Sequence, residues 1–189
     1  MLMPMTTLPP HLTPWPYPCW IAHRGAGTLA PENTLAAFRL GADHGFAMFE
    51  CDVKLSADGE PFLLHDAELE RTTNGQGAAG LLSWDALSRL DAGSWHGRAY
   101  AGEPLLRLEA LARWLQGLGL MVNLEIKPTP GDDTRTGRVV AERVAAAING
   151  GTETLSGPLV FLYRLLVPPP LIQAMLAPWL EALKAEAQL

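Results

Sequence analysis

A chain of 189 residues, 48% of them hydrophobic, can build one ordinary domain with a sizeable core and does not have the composition of a disordered sequence. A formal charge of −6 speaks against a nucleic-acid-binding surface, which needs clustered Lys and Arg. Two cysteines, Cys19 and Cys51, suggest neither a disulfide framework nor a cysteine zinc site.

The first twenty residues hold six prolines and no Lys or Arg, so residues 1–18 read as a Pro-rich arm rather than a signal peptide. "CWIAH" (19–23) is a short apolar run ended by Gly25 and Gly27, a buried strand in type. In "PENTLAAFRLGADHG", Asn33 or Thr34 can cap a helix that runs to about His44 and stops at Gly45. "AMFECDVKLS" (47–56) reads as a strand, "ADGE" as a turn with Asp-Gly at its tip, and "PFLLHD" (61–66) as a hairpin partner. Residues 67–104 are rich in Gly, Asn, Ser and Trp, carry one short helix after Ser83, and read as an inserted cap. "PLLRLEALARWLQGLG" is an amphipathic helix ending at Gly117 or Gly119, and "LMVNLEIKP" (120–128) a strand stopped by Pro128. A helix over 136–148 and a strand over 157–166 complete the pattern. The apolar stretch from Leu165 to Leu180 is broken by Pro168, Pro169 and Pro170 and is too short to span a bilayer, so a cytoplasmic location is expected. Alternating strands and helices indicate an α/β fold with a parallel sheet.

Strand residues i and i+2 share a face. Glu50 and Asp52 therefore point together, with Phe49, Cys51 and Val53 opposite, and Glu125 and Lys127 form a second such pair. Parallel strands bring these acids to one C-terminal edge, the edge where α/β barrels place active sites. His23 ends the first strand at that edge, and His65 ends the hairpin partner, close in sequence to Glu50 and Asp52. A histidine at a strand end can be a packed or hydrogen-bonding residue, a ligand or a proton carrier; the company of three carboxylates and two cations favours chemistry. Three close carboxylates raise one another's pKa unless a cation holds them ionised, and all-oxygen ligands suit Mg²⁺ or Ca²⁺ over zinc. Glu125 and Lys127 can form a local ion pair; otherwise Arg24 and Lys127 have no obvious carboxylate duty, and a phosphate would satisfy both. Two histidines can act as base and acid near neutral pH. These groups together suit phosphodiester cleavage.

"AHRG", "APENTLAAF", "FECDVKLSADGEPFLLHD", "LERTTNGQG", "LDAGSW" and "NLEIKP", in this order, resemble the glycerophosphodiester phosphodiesterase family, most closely its small cytosolic bacterial members. The resemblance covers roughly residues 19–150. It implies a TIM barrel with an insertion after the second strand, and hydrolysis of glycerophosphocholine and related diesters to glycerol 3-phosphate and an alcohol. It further implies that Glu50, Asp52 and Glu125 hold the metal, that His23 is the base and His65 the acid, and that Arg24 and Lys127 bind phosphate. The free glycerol hydroxyl would attack phosphorus, giving a cyclic phosphate that water opens. Trp95 in "DAGSWHG" is a candidate for either cap packing or the substrate wall.

A full barrel takes about 250 residues, whereas here the pattern follows the family only to about residue 160. Residues 161–189 are apolar and proline-broken. The expectation is thus a partial barrel over 19–160 that is an active metal-dependent phosphodiesterase, with closure in trans as a homodimer one route to a complete site, because open sheet edges invite association. The alternative is an inert fragment that keeps the metal ligands. A phospholipase on the same fold lacks the interfacial amphipathic segment it would need.

Overall fold

A computed structural model describes residues 17–149 of the chain. Within it the order is α1 (Leu35–Asp43), β1 (Met48–Leu55), β2 (Pro61–Leu63), α2 (Trp84–Leu87), α3 (Leu108–Leu118), β3 (Met121–Ile126) and α4 (Asp133–Asn149). The expected strand over 157–166, the apolar tail 161–189 and nearly all of the Pro-rich arm lie outside the described residues.

The fold of the described residues is α/β, but their sheet is mixed rather than wholly parallel, in the order β2-β1-β3. β1 runs parallel to β3, with Asp52 opposite Glu125 and Glu50 opposite Asn123. β2 turns back antiparallel to β1 across a tight turn in which Gly59, at φ +85°, donates its N–H to Ser56 O.

Besides shifts of up to three residues at β2 and α4, two expected elements change. Residues 19–23 form no strand; only Ala22 bridges to Phe49, through Ala22 N–H to Met48 O and Glu50 N–H to Ala22 O, each 2.9 Å. Ala22 is the one buried residue of the run, Trp20 being 80% exposed, and the chain leaves extended geometry at once as Arg24 enters the left-handed region at φ 51°. The helix expected from Pro104 begins at Leu108. Pro104–Arg107 stays extended because Leu106 O accepts from Leu63 N–H on the free edge of β2, which buries Leu105 and Leu106.

The elements bury two apolar clusters. Phe49, Cys51 and Val53 of β1 and Val122, Leu124 and Ile126 of β3 pack with Leu111 and Leu115 of α3 and Val140 of α4. The second cluster joins Phe62 and Leu64 to Leu69, Ala79, Leu87, Ala92 and Leu105, so the inserted segment has a core of its own. Leu63 faces the first cluster and its neighbours Phe62 and Leu64 the second, as strand alternation requires. The insertion is tied down where the loop after His23 enters α1. Glu103 Oε1 accepts from Ala36 N–H at 2.9 Å, His96 Nε2 stands 3.0 Å from Thr28 O, and Tyr100 Oη donates to Leu29 O. No helix among the described residues is long and apolar enough to cross a membrane.

Candidate active site

The loop between Ala22 and α1 is shaped by two non-glycine residues in the left-handed region, Arg24 at φ 51° and Asn33 at φ 59°. Asn tolerates this conformation; Arg is held there at a cost, and such strain concentrates at functional sites. Gly25, between the loop and α1, has φ +100°, and a Cβ there would meet Ala37 at 2.8 Å. The two strained residues are joined by Asn33 N–H to Arg24 O, and both reach Asp52. Asn33 Nδ2 donates to Asp52 Oδ2 at 2.9 Å, Asp52 N–H donates to Asn33 Oδ1, and Arg24 Nε lies 3.0 Å from Oδ2 as an ion pair. Thr34, not Asn33, caps α1, accepting from Ala37 N–H.

Ligand oxygens of Glu50, Asp52 and Glu125 all lie within 4.8 Å of one another. Asp52 is fully buried. Glu50 Oε2 accepts from Arg24 N–H at 3.0 Å, but Glu50 Oε1 and Asp52 Oδ1 are buried and accept no hydrogen bond among the described residues. Burial, with Asp52 and then Glu125 adding like charge, pushes the Glu50 carboxyl up to about 7 against the opposing pull of Arg24. Buried acceptor oxygens without donors are costly, and a hard divalent cation satisfies them where hydrogen bonds do not. A divalent cation such as Mg²⁺ or Ca²⁺ fits this all-oxygen donor set.

Arg24 differs from the sequence expectation, which left it without an obvious carboxylate partner, whereas Lys127 takes the Glu125 that shares its strand face. Arg24 pairs with Glu32 at 2.8 Å as well as with Asp52; Lys127 Nζ donates to Glu125 at 2.7 Å and stands 3.6 Å from Asp52 Oδ1. Concentrated negative charge in a partly buried site draws its nearest cations inward, so both side chains lie on the acids.

His23 has its Nε2 3.8 Å from Glu50 Oε2 and a side chain 64% exposed, so its ring stands at the mouth of the acidic cluster. His65 follows β2, and its Nδ1 is 2.7 Å from Asp66 Oδ1. Trp95 is 41% exposed; its indole N–H donates to Ala92 O and its ring meets His96 edge-on, contacts that lie within the inserted segment.

Sequence reasoning passed over four polar groups at this place. Lys54 is buried and donates to Lys127 O at 3.1 Å; burial lowers its pKa, with Asp52 opposing. Continuing the period of two from Glu50 and Asp52 finds it. Asn123, opposite Glu50, follows from Glu125 by the same step and has a buried Oδ1 that accepts no hydrogen bond among the described residues. Asn33 had a signal too, as a second candidate cap whose side chain Thr34 left free. Glu32 links Arg24 to Arg71, a contact between residues 39 apart with no local signature.

Comparisons with known proteins agree on one family. A model of the glycerophosphoryl diester phosphodiesterase family matches residues 23–161. YhdW of Bacillus subtilis (strain 168) is 38% identical over 150 residues, which is 78% of this chain and 61% of that protein. An Oleispira antarctica phosphodiesterase, solved with the product sn-glycerol-3-phosphate, superposes with a TM-score of 0.72 at 35% identity, covering 82% of this chain and 60% of that one. A glycerophosphodiester phosphodiesterase of Agrobacterium tumefaciens C58 gives 0.68 at 31% identity, covering 84% and 63%. The chain thus spans about three fifths of the length of the relatives it matches.

Proposed function

This chain belongs to the glycerophosphoryl diester phosphodiesterase family, and we propose that it hydrolyses glycerophosphodiesters to glycerol 3-phosphate and an alcohol with the help of a divalent cation. The observation that carries the proposal is the convergence of Glu50, Asp52 and Glu125 around buried oxygens that accept no hydrogen bond among the described residues. The product found in the Oleispira antarctica relative supports glycerol 3-phosphate as the released phosphate ester. In this reading the described residues from 19 onward form one arc of a (β/α) barrel, the inserted segment 67–104 is its cap, and the site opens at the C-terminal ends of β1 and β3.

Glu50, Asp52 and Glu125 would hold the cation, with Mg²⁺ and Ca²⁺ both suited to the donors. Bound there, it would neutralise charge on the phosphate oxygens. Arg24 and Lys127, each already beside Asp52, have further N–H donors for a phosphate oxygen. His23, exposed beside Glu50, takes a proton from the attacking hydroxyl of the glycerol moiety. His65 delivers a proton from Nε2 to the leaving alcohol oxygen, its Nδ1 being engaged by Asp66. Water then opens the cyclic phosphate with the two histidines in exchanged roles. Trp95 is a candidate for the wall around the alcohol.

The test is turnover of glycerophosphocholine by the purified chain, assayed with chelator, with Mg²⁺ and with Ca²⁺, over a range of protein concentrations. Cation-dependent release of glycerol 3-phosphate is expected, and a rate per chain that rises with concentration would add a site completed by a second copy. A folded protein that binds divalent cations yet releases no glycerol 3-phosphate at any concentration would overturn the activity and leave a metal-binding, non-catalytic chain.

A further inference from the structure

Arg71 stands in the inserted segment with no role in the chemistry above, yet its guanidinium reaches both ends of the site. Nη1 donates to Glu32 Oε2 at 2.9 Å and Nη2 to Glu32 Oε1 at 2.7 Å, a two-pronged clasp. Nε donates to Asp66 Oδ2 at 2.5 Å and Nη2 to Asp66 Oδ1 at 3.0 Å. Each of those carboxylates holds a second group. Asp66 Oδ1 lies 2.7 Å from His65 Nδ1, and Glu32 Oε1 accepts from Arg24 Nη1, whose Nε pairs with Asp52. One unbroken run of contacts leads from His65 to Asp52, and Arg71 is its middle link.

The donor and acceptor assignments settle the orientation of His65. An ionised carboxylate only accepts, so Nδ1 of His65 must carry the proton it gives to Asp66, and Nε2 is left for other work. Asp66 is held ionised: the Arg71 bond keeps its carboxyl far below the usual range, with burial opposing and His65 assisting. Glu32 also stays below its ordinary value, because Arg71 and Arg24 outweigh its burial. Arg71 itself is 44% exposed, and half-exposed ion pairs add little to global stability. A bidentate fork is, however, well suited to fixing two carboxylates in direction.

We propose that Arg71 is a positioning residue for the diester cleavage inferred above: through Asp66 it fixes His65 with its Nε2 free, and through Glu32 it holds Arg24 against Asp52. The proposal rests on the reading of His65 as a proton carrier, so its test includes a readout that needs no turnover. The variants are Arg71→Gln, which removes the charge, and Arg71→Lys, which keeps it but cannot clasp two carboxylates. In Arg71→Gln, kcat on glycerophosphocholine is expected to fall about 10- to 100-fold, the loss usual for a partner that orients a ligating or catalytic side chain, with KM within about threefold. Arg71→Lys should fall nearly as far, and millimolar guanidinium should restore part of the rate to Arg71→Ala. By ¹⁵N NMR, the neutral His65 ring should be protonated at Nδ1 in the wild type and a mixture of tautomers in Arg71→Gln. If the wild type shows no turnover at all, the tautomer comparison alone decides. An unchanged His65 tautomer in folded Arg71→Gln overturns the proposal, and so does a wild-type kcat in that variant. A rate lost only in step with a lowered melting temperature overturns it as well.

Discussion

The two faces of β1 use one backbone for opposite ends. Toward α3 and α4 it presents Phe49, Cys51 and Val53, each with no exposed surface, packed among Leu111, Leu115, Leu124 and Val140. On the other face stand Glu50, Asp52 and Lys54, also largely buried, yet lined up with Asn123 and Glu125 of β3. Burying the first set stabilises the fold by roughly 1.5–3 kcal/mol per large side chain. Burying the second set costs stability, as the upward push on the Glu50 carboxyl shows, together with oxygens of Glu50, Asp52 and Asn123 that accept no hydrogen bond among the described residues. The apolar face is what allows the polar face to be kept in an arrangement it would not choose alone.

The largest expected effect separates chemistry from folding. His23→Ala and His65→Ala should each lower kcat on glycerophosphocholine by about 10²–10⁴ with little change in melting temperature, since neither ring belongs to an apolar cluster. Full turnover in either folded variant would remove that residue from the mechanism.

On the opposite face the balance reverses. Phe49→Ala, deleting a fully buried ring that meets Phe38 and Trp114 edge-on, should cost about 3–5 kcal/mol in denaturant unfolding, while the fraction still folded keeps its activity. An unfolding midpoint unmoved by this change would mean that the helices do not rest on β1.

How much of this was legible from the sequence follows the same division. Local rules place α1 between the Thr34 cap and Gly45, β1, the Asp-Gly turn and β3, because caps, period-two alternation and left-handed glycines act within a few residues. Local rules also put Glu50 beside Asp52; that Glu125 lies opposite Asp52 needed the strand register. What was not legible is tertiary. The strand expected at 19–23 shrinks to one bridge, and Pro104–Arg107 takes extended form because Leu63 offers an N–H to Leu106. The pairing of Lys127 with Glu125 follows from their i, i+2 spacing, but the partners of Arg24, Glu32 and Asp52, come together only in the folded chain.

A smaller effect comes from pH. Glu50 in the folded chain titrates at about 7 against an ordinary 4.5, so the folded state holds that proton more tightly than the unfolded state. Its contribution is fully present below about 4.5 and is lost as pH rises through about 7. In chelator-treated protein, unfolding followed over that window should show stability falling with rising pH. Glu50→Gln should flatten this part of the curve; an identical slope in the variant would place the effect elsewhere.

The smallest expected change is at the rim. If Trp95 lines the site, Trp95→Ala should raise KM several-fold with a lesser change in kcat, the mark of lost uniform binding. An unchanged KM would leave it a packing partner of His96 and Ala92.

The claim at the centre is that the polar face of β1, with Glu125, holds one divalent cation. Calorimetric titration of Mg²⁺ and of Ca²⁺ into chelator-treated protein at pH 8, wild type against Glu125→Gln, tests it directly. The account predicts a single site per chain in the wild type, an affinity at least about tenfold weaker in Glu125→Gln, and an unfolding midpoint that hardly moves between the two. A folded wild type that takes up neither cation, or a variant that binds as tightly as the wild type, would contradict it.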